Sequence, residues 1–139
     1  MDPDTDPIEA PGLIVRTSRR SFADALAAAE GALDQAGVPL IARIDHGRSA
    51  TGAGLSLRPT ILLLFGSPRG GTPLMEAFPT SAVDLPMKLL VWQDREGRVR
   101  LASDDPDWIA RRHSGGMKVA EALTAPLARL VERIIAAAA

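Results

Sequence analysis

The chain contains no cysteine and no tyrosine, and its aromatic residues are three phenylalanines and two tryptophans. Without thiols there is no disulfide, no iron–sulfur cluster and no thiolate zinc site. The same absence fits a reducing compartment, and a cytoplasmic location is expected. So few rings do not make a platform on which bases could stack. An excess of one charge is missing too, with 16 Lys and Arg against 17 Asp and Glu. Nucleic-acid binders use a basic excess to displace counterions from phosphates, so no nucleic-acid partner is expected. Long hydrophobic runs are also lacking: Ile61 to Phe65 is apolar, far short of the ~20 residues that span a bilayer, and no membrane partner is expected. The opening MDPDTDPIEA is acidic and broken by prolines, unlike the basic and then apolar start of a secretory signal. It reads as a disordered leader over residues 1–11.

What remains is the composition of one domain over residues 12–139. A chain of 139 residues falls in the usual range of about 100–150 for a single domain, and it needs no staple to bury a core. GLIVRTS (12–18) is a β-branched run bounded by Gly and Ser, hence a strand. Ser21 begins a helix as its cap, answered by Asp24, and Phe22, Ala25, Leu26, Ala29, Leu33 and Ala36 recur on one face until Gly37 stops it. VPLIARID (38–45) alternates as a half-buried strand, and the stretch after it, HGRSATGAGLSLRP, reads as a loop or a single helical turn. TILLLFG (60–66) is continuously apolar, the pattern of a central strand. After it, Thr72 is expected to cap a short helix with Pro73 at its first position. Met87–Gln93 and Arg98–Ala102 flank DREG as a hairpin, with Gly97 supplying the positive φ of the turn. DDPDWIARRH reads as a capped short helix, and Met117–Ala138 as a long one that Pro126 must kink or divide. Strands that follow one another, rather than alternating with helices, predict an α+β fold. Its mainly antiparallel sheet has about five strands, with helices packed on one face.

Four separated stretches, DHGRSATGAGLSLRPT, FGSPRGGTPLM, DLPMKLLVWQD and DPDWIARRH, occur in this order from Gly12 onward. In order and spacing they resemble the Domain of Unknown Function 302 family. The resemblance implies a TBP-like α+β fold, strand, helix, four strands and helix, and it carries no established activity. The family's usual Gly-Asn-Pro stands here as Gly66-Ser67-Pro68.

The residues suggest one binding site and one catalytic alternative. Gly70, Gly71 and Thr72 precede an expected helix, where successive backbone N–H groups can cradle an anion. Arg69 can add a two-pronged contact. The lysine of a Walker loop is missing, however, and so is the Gly-x-Gly-x-x-Gly spacing of dinucleotide sites. Turn chemistry alone gives every residue of this loop a role. Asp45 and His46 sit at a strand end, where an imidazole can move protons or bind metal. The expected function is therefore binding of a small anionic ligand by Arg69, Gly70, Gly71 and Thr72, with Asp45 and His46 nearby. A homodimer through the open sheet face around Trp92 is expected, and one alternative function is a homodimeric interaction module that uses this face. The other is a hydrolase or metal enzyme with His46 as general base and Ser49 or a metal-bound water as nucleophile. His46, His113 and Asp84 together would supply nitrogen and oxygen ligands for a metal. No spacing unites any pair of them, and no metal or cofactor is expected.

Overall fold

Strict alternation in TILLLF buries Ile61, Leu63 and Phe65 and turns Leu62 and Leu64 the other way. That two-residue period organises the whole domain. The computed structural model describes residues 10–139, so most of the leader expected over 1–11 lies outside the described residues. The strands are β1 (Leu13–Ser18), β2 (Leu40–Asp45), β3 (Thr60–Phe65), β4 (Met87–Gln93) and β5 (Val99–Asp104). They form one antiparallel sheet in the order β1-β5-β4-β3-β2. The α+β expectation and its five-stranded sheet hold.

Two helices provide most of the cover. Helix α1 (Phe22–Gln35) begins at Ser21, whose hydroxyl accepts from the Asp24 backbone N–H, as its sequence predicts. It buries Ala25, Leu26, Ala29, Ala32 and Leu33. The alanines on that face leave room for close packing against the C-terminal helix α5 (Glu121–Ala138). Helix α5 buries Leu127, Val131, Ile134 and Ile135 in the same core as Leu63, Phe65, Met87, Leu89, Val91 and Leu101 of the sheet. Pro126 lies inside α5 but does not divide it. The helix starts at Glu121, so the proline falls in its second turn. At the other end, the strand-to-helix junction satisfies the last carbonyls. The Ser18 hydroxyl donates to the Ala138 carbonyl at 2.6 Å, the Arg19 N–H to Ala139, and Arg20 Nε to Ala137.

The opposite face of the sheet carries none of these core residues. The cross-strand register aligns Ile44, Leu62, Leu90, Ala102 and Val15 in one row across all five strands. Trp92 stands on the same face, between Thr60 and Arg100 in the register.

Three shorter helices complete the fold: α2 (His46–Gly52), α3 (Pro68–Ala77) and α4 (Pro106–His113). A 3-10 helix over Pro79–Asp84 lies between α3 and β4. The expected loop after Asp45 is thus partly helical, and the Asp45 carboxylate caps it by accepting from the Arg48 N–H at 2.8 Å.

Candidate functional site

The glycine loop is a helix. Helix α3 begins at Pro68, with Ser67 as the flanking residue, five positions earlier than the start expected at Pro73. Pro68 tolerates the first position because that residue has no intrahelical N–H bond to lose. The N–H groups of Gly70 and Gly71 both donate to the Ser67 carbonyl, at 3.1 and 3.3 Å. They are spent on the first turn and form no concave nest of free donors. Thr72 does not cap a helix but lies within one, exposed. Gly70 serves close packing instead: a β-carbon there would stand 3.1 Å from Leu127 Cδ2.

Arg69 lies beside two other arginines. It lines a cavity of about 540 Å³ between the start of α3 and the exposed side of α5, together with Arg129 and Arg133. Ala36, Val38, Gly66, Gly70 and Leu127 supply its apolar wall. None of the three arginines has an ion-pair or hydrogen-bond partner among the described residues. Arg129 and Arg133 are four residues apart on α5, which puts both on one side of the helix. That spacing is visible in RLVER, but the sequence does not show that this side faces Arg69. A second cavity, of about 340 Å³ and mostly apolar, adjoins the first and shares Gly66, Ser67 and Leu127 with it. Its lining includes Ile41, Phe65, Met75, Leu85 and Met87.

Asp45 and His46 do not join this group. Leu40 pairs with Phe65 at the Gly66 end of the β2–β3 ladder, and Asp45 pairs with Ile61 at the other. Four to five residues of strand separate them, about 15 Å at the usual rise. The Asp45 carboxylate is engaged as the cap of α2, and the Ser49 hydroxyl donates to the Asp45 carbonyl at 3.0 Å. His46 is exposed and lines neither cavity. A smaller hollow of about 260 Å³ beside α2 takes in Asp45, Gly47, Arg48 and Thr51, again without His46. The six residues expected to act together therefore fall into two separate places. Arg69 and Gly70 line one cavity with Arg129 and Arg133, and Asp45 and His46 lie apart from it.

A polar cluster lies where the 3-10 helix meets α4. Asp84 accepts from Arg112 Nη1 through both carboxylate oxygens at 2.8 Å, and it contacts His113 Nε2. The other ring nitrogen of His113 is 2.8 Å from the Thr80 hydroxyl. The fold thus brings two of the three conditional metal ligands together, while His46 takes no part. Among the described residues no group of three or more His, Cys, Asp or Glu could hold a metal ion. Burial opposes ionisation of Asp84, but hydrogen bonds and charge from His113 and Arg112 outweigh it, and its pKa falls below the ordinary value. Lys88 Nζ donates to the carbonyls of Asp84 and Pro86 and lies 3.8 Å from Asp104. Burial raises the Asp104 pKa, helped by the charge of Asp84 and opposed by Lys88 and Arg112. Trp108 carries Arg112 over its ring at 5.8 Å.

The comparisons agree with this architecture. A crystal structure of an uncharacterized conserved protein DUF302 from Bacillus stearothermophilus superposes with a TM-score of 0.73. The match covers 92% of this chain and 96% of that one at 18% identity, so it speaks to the fold alone. Proteins named fluoride-specific ion channel FluC 1, from Brucella suis biovar 1 (strain 1330) and Brucella abortus biovar 1 (strain 9-941), are each 42% identical over 106 residues. Those matches take in 76% of this chain but 42% and 39% of the relatives, so the chain spans less than half the length of the curated proteins it matches. Among the described residues no helix is long and apolar enough to cross a membrane. Residues 14–134 match the family described as domain of unknown function DUF302. With β2 to β5 and α1 wholly inside that span and β1 and α5 largely so, the chain belongs to the DUF302 family.

Proposed function

We propose that this domain binds a small anionic ligand in the cavity between α3 and α5, with Arg69, Arg129 and Arg133 as its cationic wall. One observation carries the reading: three arginines line one concavity, and none has a carboxylate partner among the described residues. Guanidinium forks match the oxygens of carboxylates and phosphates, and three together favour a ligand of more than one negative charge. The relatives named as fluoride channels lend support, since a stretch similar to this chain occurs there within proteins named for an anion.

Isothermal titration of the purified domain with inorganic phosphate at low ionic strength, with sodium fluoride alongside, tests the reading. Saturable binding of either anion, weakened about tenfold or more in Arg69→Ala and Arg129→Ala at unchanged melting temperature, supports it. Absence of binding to the wild-type domain, or affinity that ignores both substitutions, sinks it.

A second reading rests on a different observation, the apolar row Ile44, Leu62, Leu90, Ala102 and Val15 on the face that no core helix covers. Two copies packed through that face would form a homodimer. Sedimentation equilibrium of the wild type and of Leu90→Lys decides it. A dimer that becomes a monomer on substitution supports the reading, and a monomeric wild type removes it.

A further inference from the structure

From the adjoining apolar cavity we infer that the anion bound by Arg69, Arg129 and Arg133 is the head of an amphipathic molecule, one that carries an apolar tail. The inference rests on the anion-binding reading above and adds the class of ligand. The two cavities have opposite chemistry. One is lined by three arginines, and the other by Ile41, Phe65, Met75, Leu85 and Met87 without a charged side chain. They meet at Gly66, Ser67 and Leu127, which belong to both linings. Gly66 puts no side chain at this junction, and its φ of 156° suits glycine. The Ser67 hydroxyl is not used to cap α3, so it too is open at the meeting point.

A purely inorganic anion uses only the first cavity. A purely apolar ligand leaves the three arginines without a partner. A head-and-tail anion satisfies both, and the volumes, about 540 and 340 Å³, match those of pockets that enclose small organic ligands, roughly 300–1,000 Å³. The apolar cavity opens at Ile41, which is 58% exposed on the edge strand β2. A tail can therefore enter from solvent, without unfolding of the core.

Titration with monoalkyl phosphates from methyl to octyl tests the inference, with inorganic phosphate as the reference. Each methylene buried in the apolar cavity tightens binding about fourfold, so affinity should climb along the series and level off once the cavity is full. The Ile41→Asn variant, altered at an exposed position, should show no climb above its own affinity for inorganic phosphate. Arg129→Ala should weaken every member by a similar factor. If inorganic phosphate binds and chain length adds nothing, the tail inference is overturned while the anion reading stands. If neither phosphate nor any alkyl phosphate binds, the anion reading itself has failed. Sedimentation with vesicles containing phosphatidic acid separates the two sources of such a ligand. Protein left in the supernatant agrees with a free amphipathic anion, and protein carried down with the vesicles replaces it with a lipid headgroup.

Discussion

Two arginine-bearing regions of this domain are built on opposite principles. Where the 3-10 helix meets α4, Arg112 is clamped on both oxygens of Asp84, lies over Trp108, and neighbours a histidine bonded to the same carboxylate. Between α3 and α5, Arg69, Arg129 and Arg133 face a cavity with no such partner among the described residues. The first arrangement closes on itself and ties two elements together. The second leaves charge uncompensated, which repels itself and costs stability unless a ligand answers it. Closed circuits mark what the fold needs. The open one is where binding is proposed.

Substitutions in the closed region should therefore be felt in stability, and the largest effect is expected beneath Trp108. Gly12 has a φ of 78°, and a β-carbon there would stand 2.2 Å from Trp108 Cδ2. Gly12→Ala combines a left-handed backbone, which costs a side chain about 1–2 kcal/mol, with overpacking of about 1–3 kcal/mol. Urea unfolding should show a loss of about 2–5 kcal/mol, with phosphate binding by the remaining folded protein unchanged. A loss below about 1 kcal/mol would mean that the indole moves aside freely and that this region is not closed.

The next effect in size belongs to Asp84. Its folded pKa lies below the ordinary carboxyl value, so its contribution is complete above about pH 4 and is lost as pH falls through the depressed value. Asp94 acts in the same direction: burial opposes its ionisation, and bonds from the backbone and side chain of Arg98 outweigh it. Asp104, raised by burial, has the opposite sign, because its unfolded form ionises first and stability falls as pH rises through its folded value. Asp84→Asn should cost about 1–2 kcal/mol at pH 7, chiefly through the His113 contact, since the half-exposed Arg112 pair is worth less. It should also flatten the acid limb of the stability curve. Asp104→Asn should raise stability at pH 7. Chemical denaturation between pH 3 and 7 reads both, and an unchanged acid limb in Asp84→Asn counts against the assignment.

The same contrast explains what could be read from the sequence. Local patterns were legible: the Ser21 cap, the alternation of TILLLF and the turn at Gly97 depend on neighbours along the chain, and each is found where its pattern lies. Arg69 was legible as a candidate because it adjoins glycines. Arg129 and Arg133 were not, because their partner surface comes from α3, some sixty residues away in the chain. The distance of Asp45 and His46 from Arg69 has the same origin. Both stand at a strand end, as Gly66 does, but antiparallel pairing puts them at opposite ends of the β2–β3 ladder. The early start of α3 has one local cause and one distant: two consecutive glycines read as a loop, yet Pro68 at the first position and packing of Gly70 on Leu127 of α5 hold them helical.

The smallest expected stability effect is the sharpest test of the comparison. Arg129 and Arg133 are exposed, like charges four residues apart on one helix, and they repel each other by a few tenths of a kcal/mol. Replacing both by alanine removes that repulsion and places better helix formers on the surface. The double variant should therefore be as stable as the wild type, within about 0.5 kcal/mol, or slightly more stable. The same substitutions should abolish phosphate binding. Stability and binding then separate completely at this site, whereas at Asp84 stability alone moves. A double variant destabilised by more than about 1 kcal/mol would mean that these arginines hold α5 to its neighbours, and the cavity would lose its open charge.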